Sequence, residues 1–168
     1  MSSSSNPGRR HTREQSGLVL DEEGRWFHDG AEVEHPKVAQ AFHRGLERAP
    51  DGRYVVRVGP DWCFVEVRGM PLQVLAALVD RAAGAVELTY SNGLVEPLRP
   101  RSLCASEGIL YCVASTGLPA RFSRSAQVAV GALVEESPGG FVLYLGQERY
   151  PIAQGTPERA VAPSQGGA

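Results

Sequence analysis

The tightest constraint on the fold of this chain is a recurrence. A shift of about 87 residues places Ala39-Gln40 on Ala126-Gln127 and Leu46 on Leu133. The same shift places Gly52, Val55 and Gly59 on Gly139, Val142 and Gly146. Around these positions each half carries the same punctuation: a strand hairpin, an amphipathic helix, a Pro/Gly stop, then strand, tight turn and strand. The identities are few, so duplication and convergence both account for them. Either way the pattern is two similar halves packed together, because a repeat array needs three or more units. The expected fold class is therefore α+β, with halves at about 17–84 and 85–153, each having antiparallel β-hairpins on one amphipathic helix. The flanks, 1–16 and 154–168, mix Ser, Pro, Gly and charge with little to bury, and are expected to be disordered tails.

Local signals place the elements. Pro36 suits the first turn of a helix, where its missing N–H would be unpaired anyway, and His35 falls at the cap. The helix is expected over 36–49, with Val38, Phe42 and Leu46 on one face and Lys37, Gln40, Arg44, Glu47 and Arg48 on the other. Pro50-Asp51-Gly52 stops it. RYVVRV and WCFVEV flank Gly59-Pro60 and form a hairpin, with Arg53, Val55 and Arg57 on one strand face and Tyr54, Val56 and Val58 on the other. Further hairpins are expected at Asn92-Gly93, Glu107-Gly108 and Gly146-Gln147. Ser123 caps a second helix over 124–136, and Gly131 within it permits close approach of another element. The segment 71–80 is ambiguous, since its Leu and Ala favour a helix while its unbroken apolarity suits a buried strand. FVLYL has no polar residue, so as a strand it should be covered on both faces. Burial within the chain or a homodimer interface would each cover it.

Composition excludes several function classes. A net charge of −2 lacks the basic excess of a nucleic-acid-binding domain. No apolar run approaches a membrane span or a leader, and no CxxC occurs among Cys63, Cys104 and Cys112. A cytoplasmic protein with free thiols is expected, although Cys104 and Cys112 would face each other across a hairpin closed at Glu107-Gly108. Lys37 is the only lysine, a skew that a GC-rich genome explains as well as a need for arginine forks does.

Chemistry-bearing constellations are scarce. His11, His28, His35 and His43 are not spaced with each other or with Cys as zinc ligands are, so no metal or cofactor is expected. No nucleophile elbow or phosphate-binding loop occurs, and no catalytic residue is assigned. The carboxylates of Asp21-Glu22-Glu23 and Glu135-Glu136 read as a turn and a helix end. The best candidate binding surface is Arg53 and Arg57 on one strand face, with Trp62 and Glu66 available across the hairpin. An arginine–aromatic platform of this kind would bind an anionic ligand or an acidic tail. The competing reading is a solvent-facing strand whose arginines pair with Glu66 beside a buried Trp62.

Taken in order, GRWFHDGAEVEHPKVAQAF, DGRYVVRVGPDWCFVEVRGMPLQV, VELTYSNGLVEPL and LYCVASTGLPARFSRSAQ resemble the bacterial domain of unknown function 1285 family over nearly all of 17–153. The resemblance implies an α+β fold of repeated structural motifs, a strand at PLQVLAALV, and a signalling or regulatory role. It carries over no catalytic residue. The function expected is a non-enzymatic binding or regulatory module for a protein or small ligand, without nucleic-acid or membrane partners. The alternatives are an enzyme with a site built from dispersed residues, and a structural subunit of a larger complex.

Overall fold

The computed structural model describes residues 12–157; of the expected tails at 1–16 and 154–168, residues 1–11 and 158–168 lie outside the described residues. Contacts divide the chain between Gly69 and Met70 into two compact units.

In the first unit, β1 (Leu18–Leu20), β2 (Trp26–His28) and β3 (Ala31–Glu32) form an antiparallel meander. Asp21 builds its first turn. The carboxylate accepts the backbone N–H groups of Glu23 and Arg25 at 3.0 and 2.8 Å, and Arg25 Nε at 2.9 Å. Asp29 and Gly30 build the second, with φ of +49° and +83°, the two left-handed conformations a type I′ turn requires. α1 (Pro36–Gly45) begins on Pro36 without a side-chain cap. β4 (Leu46–Arg48), β5 (Tyr54–Val58) and β6 (Asp61–Phe64) make a three-stranded antiparallel sheet. β7 (Glu66–Val67) then returns to pair in parallel with β1. Leu20, Trp26, Leu46 and Val56 form the core, with Val33, Phe42 and Val67 against them.

The second unit opens with β8 (Leu72–Asp80), β9 (Ala85–Tyr90) and β10 (Val95–Pro97), an antiparallel meander, and a 3-10 turn at Pro100–Ser102. β11 (Cys104–Ser106), β12 (Ile109–Val113) and β13 (Pro119–Phe122) follow, and β13 runs parallel to β8 to extend the sheet. Then come α2 (Arg124–Gly131), the three-stranded sheet of β14 (Val134–Ser137), β15 (Gly140–Leu145) and β16 (Glu148–Pro151), and β17 (Ala153–Gln154) parallel to β11. From β11 onward this is the succession of the first unit: meander, helix, meander, and a short strand back to the start. Residues 84 and 85, where the sequence places the join of two halves, lie instead at the tip of the β8–β9 hairpin. With two helices beside mixed sheets among the described residues, the fold is α+β. No helix there is long and apolar enough to cross a membrane.

Several expectations are corrected. Both helices are shorter than expected: α1 stops at Gly45 and α2 at Gly131, and the residues that follow enter strands. Helical periodicity persists past each stop because Leu46 and Leu133 are buried either way. The partner strands β5 and β15, however, offer Leu46–Arg48 and Val134–Ser137 a full ladder. At Gly45 a Cβ would lie within bonding distance of the Arg57 carbonyl oxygen, so only glycine admits the turn from helix into sheet there. At Gly131 nothing lies within 4 Å, so that residue does not serve a close approach. Segment 71–80 is a strand, β8, because β9 pairs along it despite a bulge between Val74 and Ala76. β15 is covered on both faces only in part: Val142 and Leu143, on opposite faces, are buried, while Phe141 and Tyr144 are exposed. Cys104 lies opposite Tyr111 and Cys112 opposite Ala120, so the two thiols do not face each other.

Both expected tails reach into the fold. The Phe64 N–H donates to the Arg13 carbonyl at 2.8 Å, and Ser16 Oγ donates to the Phe64 carbonyl at 2.6 Å. Gln154 lies in β17, and the Gly155 N–H donates to Ala105 at 2.8 Å.

The two helix-ending glycines should respond oppositely to substitution. In chemical denaturation Gly45→Ala should destabilise by about 1–3 kcal/mol through overpacking. Gly131→Ala should be neutral or gain up to about 1 kcal/mol from helix propensity.

Asp21 should give an acid-dependent term. Burial raises its carboxyl, but the backbone and side-chain bonds from Arg25 and that residue's charge outweigh it and hold the pKa below the ordinary 3.8. A depressed folded value means the stabilisation is complete above 3.8 and is lost as pH falls below it. Asp21→Asn should therefore cost about 1–3 kcal/mol at neutral pH, with the gap to wild type closing in unfolding curves taken below that value.

Candidate functional site

The four residues singled out from the sequence do not form one surface. The β5–β6 register sets Arg57 opposite Trp62 and Val55 opposite Phe64. Glu66 has left this sheet, because it lies on β7 and faces Val19 of β1. Its carboxylate meets Arg68 at 3.2 Å, not Arg53 or Arg57. Arg53 is held by Asp51 and Glu14 at 2.7 and 2.8 Å, with its guanidinium carbon 3.6 Å from the Phe64 ring centre. Arg57 bonds Glu47 at 3.1 Å. Both arginines are thus matched by carboxylates of their own unit, and neither presents an open fork to an anion. Trp62 is half-buried; the fully buried tryptophan is Trp26.

Trp62 instead forms part of a groove of about 500 Å³ within the first unit. Its walls come from the strap 12–16, β1, β2, α1 and β6. Leu18, Val33, Val38, Phe42 and Trp62 supply apolar surface, and Thr12, Arg13, Ser16, His28, Asp61 and Cys63 supply polar groups. Each wall has a local cause. The Phe64–Arg13 and Ser16–Phe64 bonds tie the strap to the outer edge of β6. Arg13 lies with its guanidinium carbon 4.7 Å from the Trp62 ring centre, and Trp62 meets Phe64 edge-on at 5.4 Å. Val38, 40% exposed, faces the groove from α1. This volume and this mixture of apolar wall with a few polar groups are those of small-molecule sites.

The nucleophilic and titratable groups are distributed unevenly. Cys63 is the partly exposed thiol, on the groove wall, whereas Cys104 and Cys112 are buried. Burial pushes the Cys112 thiol up to about 12, and Tyr90 lies 3.6 Å from its sulfur. His43 does not lie on an exposed helix face. It is half-buried against Trp26 at 5.6 Å between ring centres, and burial lowers its pKa. No group of three or more His, Cys, Asp or Glu among the described residues is placed to hold a metal ion. Sequence reasoning missed Arg13 because it sits in a segment of tail-like composition. Its pairing with β6 is a long-range contact without a local signal.

In the second unit a cleft of about 690 Å³ runs between β8 and α2, lined by Ala77, Leu78, Val79, Asp80, Arg81, Ala129 and Ala132. It lacks the combination of aromatic wall and unmatched charge found in the first unit.

No family model matches the sequence, and no curated protein matches it. Two solved structures are similar. One is a DUF1285 family protein from Silicibacter pomeroyi DSS-3, with a TM-score of 0.67 and 18% identity over 86% of this chain and 82% of that one. The other is a DUF1285 family protein from Shewanella baltica OS155, with a TM-score of 0.58 and 16% identity over 70% of this chain and 91% of that one. The chain has the fold of these DUF1285 family proteins.

Proposed function

We propose that this chain is a non-enzymatic binding module, acting in the cytoplasm in a regulatory role, whose ligand occupies the groove of the first unit. The observation that carries the reading is the groove itself: about 500 Å³, lined by aromatic and aliphatic side chains together with polar groups.

Cys63 makes the reading testable. It lines the groove, while the other two cysteines are buried, so iodoacetamide should label one site per native chain and three after unfolding. A low-molecular-weight extract of the native cell should slow the native labelling of Cys63. An extract that leaves the rate unchanged at saturating concentration would count against a groove ligand.

A second reading, self-association, rests on the second unit. Leu75, Leu78 and Val128 are 51%, 68% and 70% exposed on β8 and α2, and β8 beyond Val74 has a strand partner only on the β9 side. Such an apolar edge fits a second copy of the chain, since a two-fold interface uses the same patch on both partners. Light scattering should show a concentration-dependent dimer that Leu78→Glu abolishes. A strict monomer at high concentration would reject it.

A further inference from the structure

The groove carries two charges without an ion pair among the described residues, Arg13 and Asp61, and Arg13 is the cation. Arg25, Arg53, Arg57 and Arg68 each hold a carboxylate of their own surroundings. Arg13 holds none among the described residues, although it is fixed in place from two directions. Its carbonyl is bonded to the Phe64 N–H at 2.8 Å, and its guanidinium lies over the Trp62 ring at 4.7 Å. Held over the ring, the guanidinium offers its planar fork of N–H donors to an acidic group without a flexible side chain having to be ordered first.

The surroundings select the rest of the ligand. Beside Arg13 the wall continues through Trp62, Val38 and Phe42, which would bury an apolar body. Asp61, on the same groove, disfavours an anion beside it, which leaves Arg13 as the cationic partner there. We infer that the groove binds an amphipathic organic anion, with its carboxylate on Arg13 and its apolar body against Trp62, Val38 and Phe42. This rests on the groove being the binding site, and adds the chemical class of what binds there.

The pair 4-phenylbutyrate and 4-phenylbutan-1-ol tests it, since the two share an apolar body and differ in the acid. The readout is protection of Cys63 from iodoacetamide in the full chain, with thermal melting to confirm that each variant is folded. The acid should protect at about tenfold lower concentration than the alcohol, the factor expected of a charge-assisted pair in a partly open site. Arg13→Gln should remove that advantage and leave protection by the alcohol unchanged, because the backbone bond to Phe64 does not involve the side chain. Arg13→Lys, which keeps the charge but loses the planar fork, should retain part of it. Equal protection by acid and alcohol in the wild type, or an advantage that survives Arg13→Gln, overturns the anion assignment while leaving the groove as a site. Absence of protection by either compound overturns both.

Discussion

The parallel pairing of the last short strand of each meander–helix–meander with its first is the constraint on which the rest depends. Val19 and Leu20 pair with Glu66 and Val67, and Cys104 and Ala105 pair with Ala153 and Gln154. Parallel neighbours cannot be joined by a tight turn, so the chain between them must leave the sheet and come back. In both units it does so as a helix and a three-stranded antiparallel sheet. The return is only two residues long and gains its strength from what it encloses. In the first unit that is a core around Trp26, with Leu20 from β1, Leu46 from β4 and Val56 from β5, and with Phe42 edge-on to the indole at 5.4 Å. No two of these residues come from one element, so the core exists only once the closure has formed.

The groove is a by-product of the same closure. β7 leads the chain back to β1, and this sets the outer edge of β6 beside the residues that precede β1. The strap 12–16 satisfies part of that edge through the Phe64 N–H and carbonyl. Edge strands expose rows of unpaired groups, and covering them with a loop is one of the ways a fold removes that liability. Here the cover stops short of the whole strand, and the space left between strap, α1 and β6 is the groove. Arg53 and Arg57, by contrast, lie beside Glu14, Asp51 and Glu47, and their exposed ion pairs contribute little to stability while neutralising both guanidinium groups.

Legibility in the sequence followed the range of the interaction. Asn92-Gly93, Glu107-Gly108 and Gly146-Gln147 were readable as hairpin turns because their backbone conformations are set within the turn itself. Ser123 was readable as a cap and accepts the Ala126 N–H at 3.2 Å. The helix ends were not readable, since Leu46 and Leu133 keep the helical spacing while their segments pair with strands. β8 was ambiguous from its composition and became a strand through β9, and in part β13. Trp62 and its companions were grouped by strand alternation alone. Alternation did not reveal that Glu66 had moved to another sheet or that Arg13 had come in from the tail.

By itself, then, the sequence determined the α+β class, the positions of its hairpin turns, and the cap at Ser123. All of these depend on contacts within a few residues or on hydrophobic period. Tertiary structure alone decided where α1 and α2 stop, which strands close each unit, and which carboxylates meet Arg53 and Arg57. Those outcomes depend on competition between distant segments for the same hydrogen bonds, apolar surface and counter-charges. The Arg57 carbonyl that excludes a side chain at Gly45, and the Phe64 amide that captures Arg13, are such distant partners, and nothing local to either residue announces them.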